Sequence, residues 1–100
     1  MSDALSAQAV ANALEHLPGW SGDPSGLTRT YHFSDFHAAM RFMQAAAPAI
    51  DAANHHPEWT NVYDRVSVRL RTHDAGDRVT GLDVTLARLL DREAAAANGL

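Results

Sequence analysis

Cysteine is absent from this chain, and with it disulfide bonds, thiolate nucleophiles and every cysteine-bearing class of zinc site. Packing alone must stabilise the fold, and any metal would have to be held by histidine and carboxylate. Lysine is absent too: all eight basic residues are arginine, against twelve acidic ones, for a formal charge of −4 and a pI near 5.8. Nucleic-acid backbones are bound by clustered cations that neutralise phosphate, so this balance argues against direct nucleic-acid binding. No apolar run is long enough to span a bilayer, and Met1-Ser2-Asp3 opens without the positive charge and apolar stretch of a secretory signal. A cytoplasmic chain with no membrane partner is the expectation.

What is present suffices for one core. At 100 residues and 46% hydrophobic composition, a single domain over residues 1–100 is expected. Val10, Ala13, Leu14 and Leu17 have helical spacing and Pro18-Gly19 stops them, which predicts a first helix over about residues 6–17. Trp20 opens a short extended piece, Asp23-Pro24-Ser25-Gly26 signals a turn, and Leu27 to Phe33 alternates as a strand. Ser34 or Asp35 can cap a second helix, whose buried stripe reads as Phe36, Met40, Met43, Ala47 and Ile50. Pro48 removes an N–H inside that helix, so a kink or an early end is expected there. Trp59 to Tyr63 and Val66 to His73, joined by Asp64-Arg65, read as a second hairpin. Thr80 and Asp83 stand in capping-box relation, and Leu82, Leu86, Leu89 and Leu90 mark a last helix running to about Ala97. A leading helix followed by ββαββα predicts an α+β, two-layer fold, with a four-stranded antiparallel sheet carrying its helices on one face.

Three of the six histidines form a pattern: His55 and His56 adjacent before Pro57, and His73 after a predicted strand. From residue type alone three readings stand. The pair is a solvated polar loop; or one of them joins His73 and Asp51 around a metal, although the i, i+4 histidine pair of a helical zinc motif is missing; or the imidazoles do acid–base work without metal, for which an unperturbed pKa of about 6.5 suits them.

The run Asp51-Ala52-Ala53-Asn54-His55-His56-Pro57-Glu58-Trp59-Thr60-Asn61-Val62-Tyr63, with His73 and then Asp83 at intervals of ten, resembles the signature of the pterin-4a-carbinolamine dehydratases. The likeness extends over nearly the whole chain, through the leading helix, the Gly-Trp piece, the Tyr-His-Phe strand and the Thr-His-Asp-Ala-Gly loop. It implies dehydration of 4a-hydroxytetrahydropterin to quinonoid dihydropterin, which recycles the pterin of aromatic amino acid hydroxylases, with no cofactor and no metal. It also implies His55 and His73 as general acids or bases and His56 as the residue that holds the pterin. Asn54, Arg71 and Thr72 join the three histidines in the substrate pocket, with Asp51, Pro57, Trp59 and Asp83 in support. Asp51 is expected either as a helix-end charge or, one turn before His55, as the residue that orients that imidazole, and Asp83 to serve the helix cap as readily as the pocket. The resemblance implies a homodimer or homotetramer formed through sheet edges and helices. Two departures stand out: Asn54 occupies a position where some relatives carry aspartate, and the loop from Gly76 to Thr80 is slightly longer. Two other roles remain open to the same fold: a non-catalytic dimerisation partner of a transcription factor, or an accessory protein for another pterin.

Overall fold

The computed structural model describes residues 3–98, so the extreme ends of the expected domain, Met1 and Ser2 among them, lie outside the described residues. Ser6 begins the order by accepting the Ala9 N–H with its hydroxyl and starting α1, Ala7–Leu14. The helix stops three residues before the expected Leu17. Pro18 disfavours helical backbone in the residue before it, and the chain unwinds through tighter hydrogen bonds from His16 N to Ala13 O and from Leu17 N to Leu14 O. Leu17 is nevertheless buried in the core.

Strands β1, Ser21–Asp23, and β2, Gly26–His32, form the first hairpin around Pro24-Ser25, with Asp23 opposite Gly26. Asp23 Oδ1 accepts the Ser25 N–H and hydroxyl, which closes the turn and holds that carboxyl below its ordinary pKa. Gly22 has no substitute there, because a Cβ on it would lie 2.2 Å from the Gly26 carbonyl oxygen. The long helix α2, Phe36–Ala53, starts on Asp35, whose side chain accepts the Ala38 N–H. Strands β3, Glu58–Val62, and β4, Arg65–Leu70, form the second hairpin. A single 3₁₀ turn, His73–Ala75, follows, and then α3, Gly81–Ala97. The sheet is antiparallel in the order β1-β2-β4-β3. The fold is therefore the expected α+β arrangement of three helices and a four-stranded antiparallel sheet.

Alternation decides which face is buried. Leu27 and Tyr31 of β2, with Val66, Val68 and Leu70 of β4, turn inward against Phe42 of α2 and Leu86 and Leu90 of α3. Thr28, Thr30, Ser67 and Arg69 line the other, open face.

The stripe expected on α2 is displaced. Ala38, Ala39, Phe42, Ala46 and Ile50 are its buried residues, whereas Phe36 is 43% exposed, Ala47 is exposed and Met43 only partly covered. Phe42 draws the helix round, since its ring packs 5.0 Å from Tyr31, 5.2 Å from Phe33 and 6.1 Å from Trp59, centroid to centroid. Pro48 does not end the helix. It sits on the exposed face, where water can satisfy the carbonyl one turn back that its missing N–H leaves free.

Two further boundaries move. The second turn is Tyr63-Asp64, with Tyr63 at φ 53°, because Val62 pairs with Arg65. Strand β4 stops at Leu70 and not at His73, since Thr72 forms an isolated bridge with Arg78 and folds the intervening residues into a closed loop.

Candidate active site

Three chain segments meet at one end of the sheet. The first leaves α2 at Asn54, whose backbone lies in the left-handed region (φ 50°, ψ 40°) and whose N–H bonds to Asp51 O. Asparagine is among the few residues that accept this conformation, and the reversal throws His55 and His56 off the helix axis before Pro57 leads into β3. The second is the stretch after β4, pinned by two backbone hydrogen bonds between Thr72 and Arg78, of 2.8 and 3.3 Å. The third is the N-terminus of α3.

Asp83 joins all three. It is fully buried, and its two oxygens have different tasks. Oδ2 accepts the Thr80 N–H at 2.9 Å, the reciprocal half of the capping box, and the Thr72 hydroxyl at 2.8 Å. Oδ1 lies 2.5 Å from His55 Nε2. The direction of every bond follows from proton counting. Thr72 spends its one proton on Asp83, so the Thr80 hydroxyl, 2.8 Å away, must donate to Thr72, and it in turn accepts the Leu82 N–H at 3.2 Å. Receiving donors on Oδ2, the aspartate also acts as acceptor toward His55, which places a proton on Nε2. No buried side-chain polar atom among the described residues is left without a partner.

The other two histidines repeat the arrangement in solvent. His56 Nε2 lies 3.0 Å from Asp51 Oδ1, and His73 Nδ1 lies 3.1 Å from Asp77 Oδ1. The three differ in burial: the side chain of His55 is 10% exposed, that of His56 60% and that of His73 91%. A carboxylate can only accept, so each imidazole directs an N–H at its own aspartate. The remaining nitrogens, Nδ1 of His55, Nδ1 of His56 and Nε2 of His73, have no protein hydrogen bond among the described residues. Neutral, such a nitrogen takes a proton; protonated, it gives one.

All three rings line one cleft of about 280 Å³ together with Asn54, Arg71, Thr72, Asp74 and Leu82. Arg71 lies just beyond the end of β4, and its Nε and one terminal nitrogen donate to Glu58 at 2.8 and 3.3 Å. Among the described residues no group of three or more histidine and carboxylate side chains gathers at metal-binding distance.

The structure thus brings Asn54, His55, His56, Arg71, Thr72 and His73 to one cleft. It separates the supporting residues. Asp51 does not orient His55: the left-handed turn at Asn54 carries His55 across to α3, and it is His56 that returns to Asp51. Asp83 serves helix cap and imidazole at once. Trp59 is packed against the core beside Phe42, and Pro57 lies outside the residues of the cleft. Sequence reasoning overlooked Asp77 and Glu58 as partners of His73 and Arg71, and Thr80 as part of the network beneath His55. For Asp77 there was a signal, its i+4 spacing from His73; for Glu58 there was none, because its partnership arises from strand register.

Residues 3–93 match the family model described as pterin 4 alpha carbinolamine dehydratase. A protein of Opitutus terrae is 49% identical over 92 residues, covering 92% of this chain and 95% of its own length. A protein of a Bradyrhizobium species is 48% identical over 101 residues, covering 99% and 100%. Both carry the name "Putative pterin-4-alpha-carbinolamine dehydratase". Among solved structures, a "transcriptional coactivator/pterin dehydratase" from Brucella melitensis superposes with a TM-score of 0.87 at 38% identity, covering 92% of this chain and 99% of that one.

Proposed function

Since the chain belongs to the pterin 4 alpha carbinolamine dehydratase family, we propose that it dehydrates a 4a-hydroxytetrahydropterin to the quinonoid dihydropterin and water. The observation that carries this reading is the cleft itself: three imidazoles on it are each tethered by a separate aspartate, and each keeps one nitrogen free.

The reaction is the collapse of a carbinolamine. The N5 lone pair forms the C4a=N5 bond as the C4a–O bond breaks, and hydroxide leaves as water only if an acid protonates it. A base then removes one proton from the cation, so the enzyme ends with the protons it began with. His55 and His73 carry these transfers and His56 holds the ring, while Asn54, Thr72 and Arg71 contact its polar edge. Proton transfers of this kind contribute on the order of 10²–10⁴-fold each. The proposal requires neither metal nor cofactor. The product's use is the recycling of a hydroxylase's pterin, in a single cytoplasmic domain acting as a homodimer or homotetramer.

Stopped-flow decay of freshly generated 4a-hydroxytetrahydropterin tests the reading. Acceleration that survives a chelator and falls at least tenfold in His55→Ala or His73→Ala is expected; decay no faster than in buffer would end it. Light scattering after gel filtration tests the assembly. One observation supports a second role, the name of the Brucella melitensis protein, which couples a coactivator to a dehydratase. A protein acting only as a partner would bind its target equally well with all three histidines replaced.

A further inference from the structure

A depression of about 740 Å³, more than twice the volume of the imidazole cleft and sharing no residue with it, lies over the open face of the sheet. Strand register arranges its floor in two rows. Ser21, Thr28, Arg69 and Glu58 stand opposite one another across β1, β2, β4 and β3. Two residues along each strand, Thr30, Ser67 and Thr60 do the same across β2, β4 and β3. Side chains alternate along a strand, so both rows project from the face that the helices leave bare. The rows are rich in hydroxyls, and these are already ordered: Ser21 and Thr28 meet at 3.3 Å, Thr30 and Ser67 at 3.2 Å. Two hydroxyls hold two protons and share one between them, so each pair keeps a proton to donate outward together with free lone pairs.

The charge on the walls runs against that of the chain. The protein carries −4 overall, yet two arginines, Arg29 and Arg69, face one acid, Glu58, both of whose oxygens are taken by Arg71. Each of the two arginines lies against a glycine. A Cβ on Gly26 would stand 2.9 Å from Arg69 Nε, and one on Gly19 would stand 2.8 Å from Arg29 Cζ. Arg29 is also fixed over the Tyr31 ring and directs one terminal nitrogen at Asp91 and the Pro18 carbonyl. Its Nε and other terminal nitrogen have no protein acceptor among the described residues. Arg69 has none at all there, since the arginine hydrogen bonds are those of Arg29 and Arg71. Asp23, whose carboxyl is engaged by Ser25, stands outside the depression.

An unpartnered guanidinium beside hydroxyl donors matches a phosphate monoester, which carries about −1.5 to −2 charges at neutral pH. Hydroxyls that both donate and accept match those of a sugar. The volume falls among small-molecule sites, roughly 300–1,000 Å³, and two arginines are too few for a polyanion, whose binding sums many phosphate contacts. We propose that the open face of the sheet binds a small phosphorylated polyol. Arg69 holds the phosphate, the two rows hold the polyol, and Arg29 adds donors at the rim where β1 begins. The site stands independently of the dehydratase reading.

Isothermal titration of the intact protein with ribose 5-phosphate, inorganic phosphate and ribose tests it. Ribose 5-phosphate is expected to saturate with a Kd at least ~5-fold below that of inorganic phosphate, the scale of one net hydrogen bond, and ribose not to saturate. Arg69 is exposed, so Arg69→Ala should fold as the parent does and weaken ribose 5-phosphate roughly tenfold or more, as loss of a charge-assisted hydrogen bond requires. Arg69→Lys should recover part of that loss. Thr30→Val combined with Ser67→Ala should bring ribose 5-phosphate to the affinity of inorganic phosphate, while His73→Ala in the imidazole cleft should change neither. Backbone amide shifts on titration with ribose 5-phosphate place the ligand without any substitution, and movement at Thr28, Ser67 and Arg69 upholds the site. Shifts confined to Asn54, His55, His56 and His73, binding lost in His73→Ala but kept in Arg69→Ala, or no saturation by either phosphate would overturn it.

Discussion

Asp83 contributes to stability and to chemistry through different oxygens, and substitutions can separate the two. Asp83→Ala strips the capping box and leaves the Thr72 hydroxyl, the Thr80 N–H and His55 Nε2 without their acceptor. A lost cap costs about 0.5–2 kcal/mol and an unsatisfied buried donor about 1–3 kcal/mol, so a loss near 2–4 kcal/mol is expected in urea denaturation. Asp83→Asn retains the size and one acceptor oxygen. It should fold with a smaller penalty, yet its neutral amide no longer supports an imidazolium at His55, and kcat should fall at least ~10-fold. Equal kcat in Asp83→Asn and the parent would reduce Asp83 to a cap. The spacing of Thr80 and Asp83 already announces the capping box, because that motif is local in sequence. Its link to His55, 28 residues away, depends on how α2 ends, and no spacing encodes the swing that the left-handed backbone at Asn54 imposes.

At the scale of elements, α2 shows how a periodic pattern can locate a helix and still misplace its buried face. Its periodicity is real, but the expected stripe weights Phe36, Met40 and Met43 by size, whereas the structure buries Ala38, Ala39 and Ala46 around Phe42. Small residues allow the helix to sit close to the sheet, and one aromatic ring fills the space between. Of the expected stripe only Ile50 is buried, and Phe42, which anchors the buried face, was not part of it. Pro48 lies in the same helix with its burial side turned away. Proline in a helix interior costs roughly 3 kcal/mol relative to alanine, partly offset by the flexibility it removes from the unfolded chain. Pro48→Ala is expected to raise stability by about 1–2 kcal/mol without altering dehydratase kinetics. A lower midpoint in thermal and urea melts would show that proline serves α2 in some way its exposed position does not reveal.

Across the whole molecule, α3 is fastened at two carboxylates. Beside the cleft, Asp83 ties it to the segments that follow α2 and β4. Eight residues on, about 12 Å along the helix, Asp91 Oδ1 accepts Trp20 Nε1 at 2.9 Å, Arg29 at 2.9 Å and the Tyr31 hydroxyl at 2.5 Å. Arg29 also covers the Tyr31 ring, 4.5 Å from its centroid. Burial, then the adjacent Asp91, pushes the Tyr31 hydroxyl well above the ordinary phenol value. A group that binds its proton more tightly when folded stabilises the fold below its unfolded pKa, near 10 for tyrosine, and loses that contribution as pH rises beyond it. Stability should thus begin to fall above about pH 10, and Tyr31→Phe should blunt that fall. An unchanged alkaline limb in denaturant titrations of the variant would assign the effect elsewhere. Fold class and sheet were legible because strands and helices write their periods into adjacent residues. The Asp91 cluster was not, because it gathers residues 60 to 71 positions apart.

The double employment of Asp83 also has a consequence in time. When the first turn of α3 opens, as helix ends do far more often than whole domains unfold, the cap and the tether of the most buried histidine are lost in the same fluctuation. Amide exchange at Leu82 and Asp83 should therefore report how often the His55 ring is released. A deuterium label there would count the intervals in which catalysis is suspended while the rest of the chain remains folded.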